Sequence, residues 1–268
     1  MIRITLASLA TVSLFFAAAA RSPQGGDQFL DGIGETALVA RYVFGGNAED
    51  ASRNQLHAAL NGSGAEFVED SRFRQVLLLT GDGSHVVLPG RALEGEDAMS
   101  VVGWLYLPTG ASGPLFDFGR DSGNRLAAFA SRSGLRAAVV TGGEVRGETS
   151  SGAVPENQWV HFGVVLDPAS RALTLYVDGA RAGQVTDVTA SAADIGTTPA
   201  SANRLFLGRA QEDGTPTLHA RLRDVRIYRV VLADEQAATI RANALSVGQT
   251  ARGRGRGERP VISTAAIP

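Results

Sequence analysis

From Ala37 onward the chain reads as short runs of alternating apolar and polar residues, broken by turn-forming positions. In ALVARYVF, Leu38, Ala40, Tyr42 and Phe44 fall on one side of an extended backbone, and Val39, Arg41 and Val43 on the other. Runs of the same kind recur at Val76–Thr80, His85–Leu88, Met99–Leu107, Pro114–Phe118, Arg125–Ala130, Leu135–Thr141 and Glu144–Thr149. They continue at Gln158–Leu166, Ala172–Val177, Ala180–Asp187, Asn203–Gly208 and Leu218–Tyr228. Many short strands at close spacing predict an all-β fold. In ALTLYV, Leu173, Leu175 and Val177 share one face while Thr174 and Tyr176 share the other, the signature of a strand with one buried side. Asp178-Gly179 and Gly142-Gly143 each join two such runs and tolerate the positive φ that a tight hairpin demands.

The ends read differently. Arg3, an uncharged apolar run from Ile4 to Ala20 and the small-x-small pattern Ala18-Ala19-Ala20 predict an export signal over residues 1–20, because the run is short for a membrane span. Residues 21–36 form a polar, Gly-rich leader, residues 37–245 the domain, and residues 246–268 an Arg/Gly-rich tail without apolar period. One helix is expected over DEQAATIRANAL, with Asp234 at its start and Ala237, Ile240 and Ala244 at helical spacing. The sequence thus predicts a two-sheet antiparallel β-sandwich with one short C-terminal helix.

Composition narrows the chemistry. The 32 glycines among 268 residues fit a turn-rich chain, and a net charge of −2 gives no electrostatic footprint for nucleic acid. Cysteine is absent, which removes disulfides, thiolate metal sites and a lipid-anchored cysteine. No transmembrane span is expected in the mature chain.

Several segments, in order, resemble the laminin-G-like branch of the concanavalin A-like lectin/glucanase superfamily. These are LVARYVFGGNAEDASRNQLHAAL (38–60), LTGDGSHVVLP (79–89), MSVVGWLYLP (99–108) and QWVHFGVVLDPASRALTLYVDGARAG (158–183). NRLFLGR (203–209) and LRDVRIYRVVLADEQ (222–236) complete the pattern. The resemblance implies a concanavalin A-like jelly roll in which the last strand lies beside the first. Trp104 and Trp159, in apolar strands, are expected to fill the layer between the sheets, with Phe162, Leu175 and Ile227 also buried.

Some members of this superfamily cleave glycans with two carboxylates on one strand face, and no Glu-x-Asp-x-Glu strand occurs here. Glu94-Gly95-Glu96-Asp97 reads as a solvated turn, and histidines 57, 85, 161 and 219 lack zinc spacing. Gly62-Ser63-Gly64 reads as a turn rather than a nucleophile elbow, and Asn61-Gly62-Ser63 matches a glycosylation sequon. No enzyme is read. Two roles stand open: a secreted lectin-like module for glycan or polysaccharide, with Tyr106 and Tyr176 as exposed platforms, or an adhesion module that binds an extracellular protein.

The resemblance also implies Ca²⁺ near the meeting of the first loop and the last strand, with Asp50 matching the loop aspartate, the carbonyls of Arg53 and His57 adding oxygens, and Asp82 or Asp224 contributing further carboxylates. The chain departs from the pattern there. Arg53 stands where glycine is usual, Thr80 and Ser84 replace aspartates, and Arg223 replaces the acid expected before Asp224. Three outcomes stay open: the ion, a salt bridge from Arg53 or Arg223 to Asp50, or neither.

Overall fold

The computed structural model describes residue 33, residues 36–95 and residues 97–250, with side chains through residue 243. The expected signal and leader, and the tail beyond residue 250, lie outside the described residues, as does Glu96. The strands run in order as β1 (Leu38–Tyr42), β2 (Ala59–Asn61), β3 (Ala65–Asp70), β4 (Arg74–Thr80) and β5 (His85–Leu88). Then come β6 (Met99–Tyr106), β7 (Gly113–Asp121), β8 (Asn124–Ser131), β9 (Gly134–Thr141) and β10 (Glu144–Ser150). The last five are β11 (Trp159–Asp167), β12 (Ala172–Val177), β13 (Ala180–Val185), β14 (Arg204–Leu207) and β15 (His219–Tyr228). Two helices accompany them, α1 (Ala192–Ile195) and α2 (Asp234–Thr250).

Two antiparallel sheets result. One follows the order β13-β12-β11-β6-β15-β4-β3, with β1 paired to the far half of β15; the other follows β10-β9-β8-β7-β14-β5-β2. This is the expected sandwich. The alternation sets its core: Val160, Phe162, Val164 and Leu166 of β11 meet Leu126, Ala128 and Ala130 of β8 in one apolar cluster. Both expected hairpins form with positive φ, at 51° and 79° for Asp178-Gly179 and at 61° and 79° for Gly142-Gly143.

Three details correct the sequence reading. First, β2 and β3 were not expected. Their residues are mostly exposed or half-buried, so the apolar signal is weak and pairing with β5 and β4 makes them strands. Second, a register shift between Leu38 and Ala40 turns Val39 into the main core beside Ala40, Tyr42 and Phe44, while Leu38 packs outside it. Third, neither tryptophan lies between the sheets. On β6 it is Met99, Val101 and Leu105 that face inward, so Trp104 and, opposite Tyr106, Trp159 stand on the outer face.

Candidate functional site

The outer face of the first sheet is roofed. Arg72 and Phe73, in the β3–β4 turn, lie over it, with the Arg72 guanidinium 4.3 Å from the Trp104 ring and Phe73 edge-on to Trp159 at 5.0 Å. Trp104 is accordingly 1% exposed and Trp159 half-buried. Tyr106, expected as a platform, is flanked by Trp159 at 5.6 Å and by the Arg221 guanidinium at 5.1 Å. Tyr176 is buried in the cluster that holds Ala237 and Ile240 of α2, and its hydroxyl donates to Asp234 at 2.7 Å. The sheet face was read correctly, but the covering helix removes the openness expected of Tyr176. His161 is buried beside Trp104, and desolvation first, then Arg226, pushes its imidazole down to about 3, so it stays neutral.

At the corner where β1 meets β15 the implied calcium residues separate. The Asp50 carboxylate accepts the N–H groups of Arg41 (2.8 Å), Ser52 (2.8 Å) and Leu56 (2.9 Å) and the Ser52 hydroxyl (2.7 Å). His57 uses Nδ1 to accept the Asp50 N–H, and Arg53 is exposed. Asp82 is exposed and accepts the Thr80 hydroxyl at 2.6 Å. Asp224, at φ 48°, sits in the bulge where β15 exchanges β4 for β1 as its neighbour. Its buried carboxylate lies between two guanidiniums, Arg41 at 2.8 Å and Arg226 at 2.7 Å. These ion pairs outweigh burial and hold it far below the usual carboxylate range.

A hard cation wants six to eight oxygens, whereas the Asp50, Asp82 and Asp224 carboxylates already face N–H, O–H and guanidinium donors. As folded, these three carboxylates do not converge on one ion. Among the described residues no three His, Asp or Glu side chains gather as a metal site. Of the alternatives, the Arg223 bridge to Asp50 does not form, since Arg223 donates to the Gln75 carbonyl at 2.7 Å, and the ion pairs at this corner are those of Arg41 and Arg226 with Asp224.

The outer face of the second sheet keeps an open cleft of about 350 Å³. Its floor follows from register. Glu148 of β10 pairs with Ala138 of β9, Ala138 with Ala127 of β8, and Ala127 with Asp117 of β7. Alanines in the two middle strands leave a trough between taller neighbours. Phe129 and Arg136 pair along one wall, and Arg125, Val140 and Val145 line the other. Val145 is 60% exposed. Gly119, opposite Arg125, permits the close approach of β8, since a Cβ there would lie 2.7 Å from the Arg125 Cα.

One end of the trough carries the strongest electrostatics. Asp117 is buried and accepts the Gln211 N–H at 2.9 Å and Arg125 Nη1 at 3.0 Å through Oδ2. The same Arg125 nitrogen bonds Glu212. Asp117 Oδ1 and Arg125 Nε, both closed from solvent, have no hydrogen-bond partner. Burial, with Glu212 adding to it, pushes the Asp117 carboxyl up to about 6 against the pull of Gln211 and Arg125. Burial would also raise Glu212, but its bonds from Arg125 prevail and hold it below its ordinary value. Sequence reasoning missed this pair. Asp117 and Glu212 come from β7 and from the segment after β14, so no local spacing marks them.

Comparison places this architecture. The profile of the Laminin_G_3 family, described as the concanavalin A-like lectin/glucanases superfamily, matches residues 80–238. The chain belongs to this superfamily. No curated protein matches it. Among solved structures, it is similar to domain 4 of AbnA, an extracellular GH43 arabinanase from Geobacillus stearothermophilus, solved with arabinotriose. That match has 19% identity and a TM-score of 0.57, and covers 75% of this chain and 97% of the other. It is also similar to the binding domain of Paraclostridial Mosquitocidal Protein 1, at 12% identity and a TM-score of 0.61, covering 78% of this chain and 52% of that one. A third likeness, at 11% identity and a TM-score of 0.59, is to the binding domain of botulinum neurotoxin DC in complex with rat synaptotagmin II, with the same two coverages. The chain spans about half the length of the toxin domains it matches, and at these identities the likeness shows the fold.

Proposed function

We propose that this chain is an exported, non-catalytic binding module that holds an oligosaccharide in the cleft across β10, β9, β8 and β7. The alanine-floored trough carries the reading. Small-molecule sites combine a concave, mostly apolar surface with a few fixed polar groups. Here Ala127, Ala138, Val140, Val145 and Phe129 supply the first, and Arg125, Asp117 and Glu212 the second. Three strand spacings separate Glu148 from Asp117, roughly 14 Å, which suits a short oligosaccharide. The arabinotriose-bound relative agrees with a glycan ligand.

Binding without cleavage is favoured by the state of the two acids. Hydrolysis needs carboxylates that flank a scissile bond, and Asp117 is 1% exposed with a guanidinium joining it to Glu212. The export signal expected over residues 1–20 supports a place outside the cytoplasm. An array of plant and microbial oligosaccharides is the test, run with the wild-type chain and with Ala127→Trp, which fills the trough. Binding that the substitution abolishes, with an unchanged melting temperature and no product released, is expected. Retention of binding by the folded variant, or turnover of a bound glycan, contradicts the reading.

A further inference from the structure

The charges of the cleft are mutually engaged. Two guanidiniums and three carboxylates line it: Arg125 and Arg136 against Asp117, Glu148 and Glu212. Arg125 bonds both Asp117 and Glu212, and Arg136 lies 3.7 Å from Glu148. The next cations on this face, Arg204 and Arg209, lie over the Phe206 ring at 5.6 and 4.9 Å. Arg209 also pairs with Asp213 at 2.9 Å. Three carboxylates against two guanidiniums leave the cleft net negative, which opposes an anionic ligand.

The unused polar atoms point the same way. Asp117 Oδ1 can only accept while ionised, and Arg125 Nε can only donate. Protein closes over both, while the Glu212 side chain that bonds Arg125 is 44% exposed. A hydroxyl can satisfy either of them, because it donates and accepts. A carboxylate or sulfate offers Asp117 no proton, and an ammonium offers Arg125 no acceptor. A site built to hydrogen-bond a hydroxyl discriminates strongly against analogues that lack it.

We infer that the cleft selects uncharged, hydroxyl-rich oligosaccharides and excludes uronate-bearing and sulfated ones, with Asp117 accepting from and Arg125 donating to their hydroxyls. The inference rests on the cleft being the binding site proposed above. At neutral pH the Asp117 carboxyl, pushed up to about 6, is mostly ionised and serves as the acceptor.

Calorimetric titration of the purified chain tests it. One set of probes is neutral (arabinan, xylan, β-glucan and mannan fragments), and a size-matched set is anionic (oligogalacturonate, oligoalginate and sulfated dextran fragments). Neutral probes alone are expected to bind. Asp117→Asn, of equal shape but without the charge, should weaken binding roughly tenfold to a hundredfold, the worth of a hydrogen bond to a charged group. Arg125→Lys, which keeps the charge and removes Nε, should give a loss of the same order and stands in if Asp117→Asn does not fold. An anionic probe that binds the wild type and is lost on Ala127→Trp keeps the cleft as the site and overturns the selectivity. Full affinity for neutral probes in folded Asp117→Asn or Arg125→Lys overturns the role given to that pair. Binding that survives Ala127→Trp overturns the cleft itself.

Discussion

Every one of the 25 cationic residues is arginine, and the structure uses what a guanidinium does and an ammonium does not. Arg41 and Arg226 each present two nitrogens to the Asp224 carboxylate, and Arg72 lies over Trp104 and Phe73. The Asp224 cluster ties β1 to β15 where the family pattern implies an ion. Its residues were all visible in the sequence, but the pairing was not, since Arg41 and Asp224 stand 183 positions apart. Removing one member of a buried pair leaves an uncompensated charge and costs about 3–5 kcal/mol, whereas replacing the pair by apolar side chains costs far less. Asp224→Leu is therefore expected to destabilise the fold by about 3 kcal/mol in urea titrations, and Asp224→Leu with Arg226→Met to recover part of that loss, the unpaired Arg41 and the positive φ at 224 keeping the rest. Additive losses in the double variant would show that the cluster is not a coupled unit. Asp117, Arg125 and Glu212 were hidden for the same reason: a contact between a strand and a distant segment leaves no local pattern.

At the scale of elements, alternation and turn chemistry made most strands legible, because a strand with one buried face must alternate. The pattern failed at β2 and β3, whose residues bury little, and it could not say which outer face would be covered. On ALTLYV the assignment of Leu173, Leu175 and Val177 to the core holds. Tyr176 on the opposite face is nevertheless buried, because α2 docks there through Ala237 and Ile240. That helix has a weak apolar stripe and runs to Thr250, past residue 245, so its docking depends on these few contacts. Ile240, 1% exposed, is the pivotal one. Ile240→Asp places an unpaired charge in this cluster and should undock the helix. Hydrogen exchange is expected to show lost protection over residues 234–245, with β11 and β12 still protected. Uniform loss of protection across both sheets would mean that the helix is integral to the fold and not a cover on it.

For the whole molecule, the order of its segments was enough to identify the sandwich and the pairing of its first and last strands. The proposed binding face was not readable in that way, because sequence reasoning sought aromatics and found them on the first sheet, where the β3–β4 turn and α2 cover them. The second sheet offers a depression made by two alanines, and small residues at matching register carry no chemical signal until the register is known. The central claim is that this trough, on β10 to β7, holds an oligosaccharide. Its most direct test is backbone amide NMR of the isotope-labelled chain, titrated with the best neutral probe from the array. The account predicts saturable shifts clustered at Asp117, Arg125, Ala127, Phe129, Arg136 and Ala138. Shifts confined to Tyr106, Trp159 and their neighbours on the first sheet, with the trough unmoved, would contradict it.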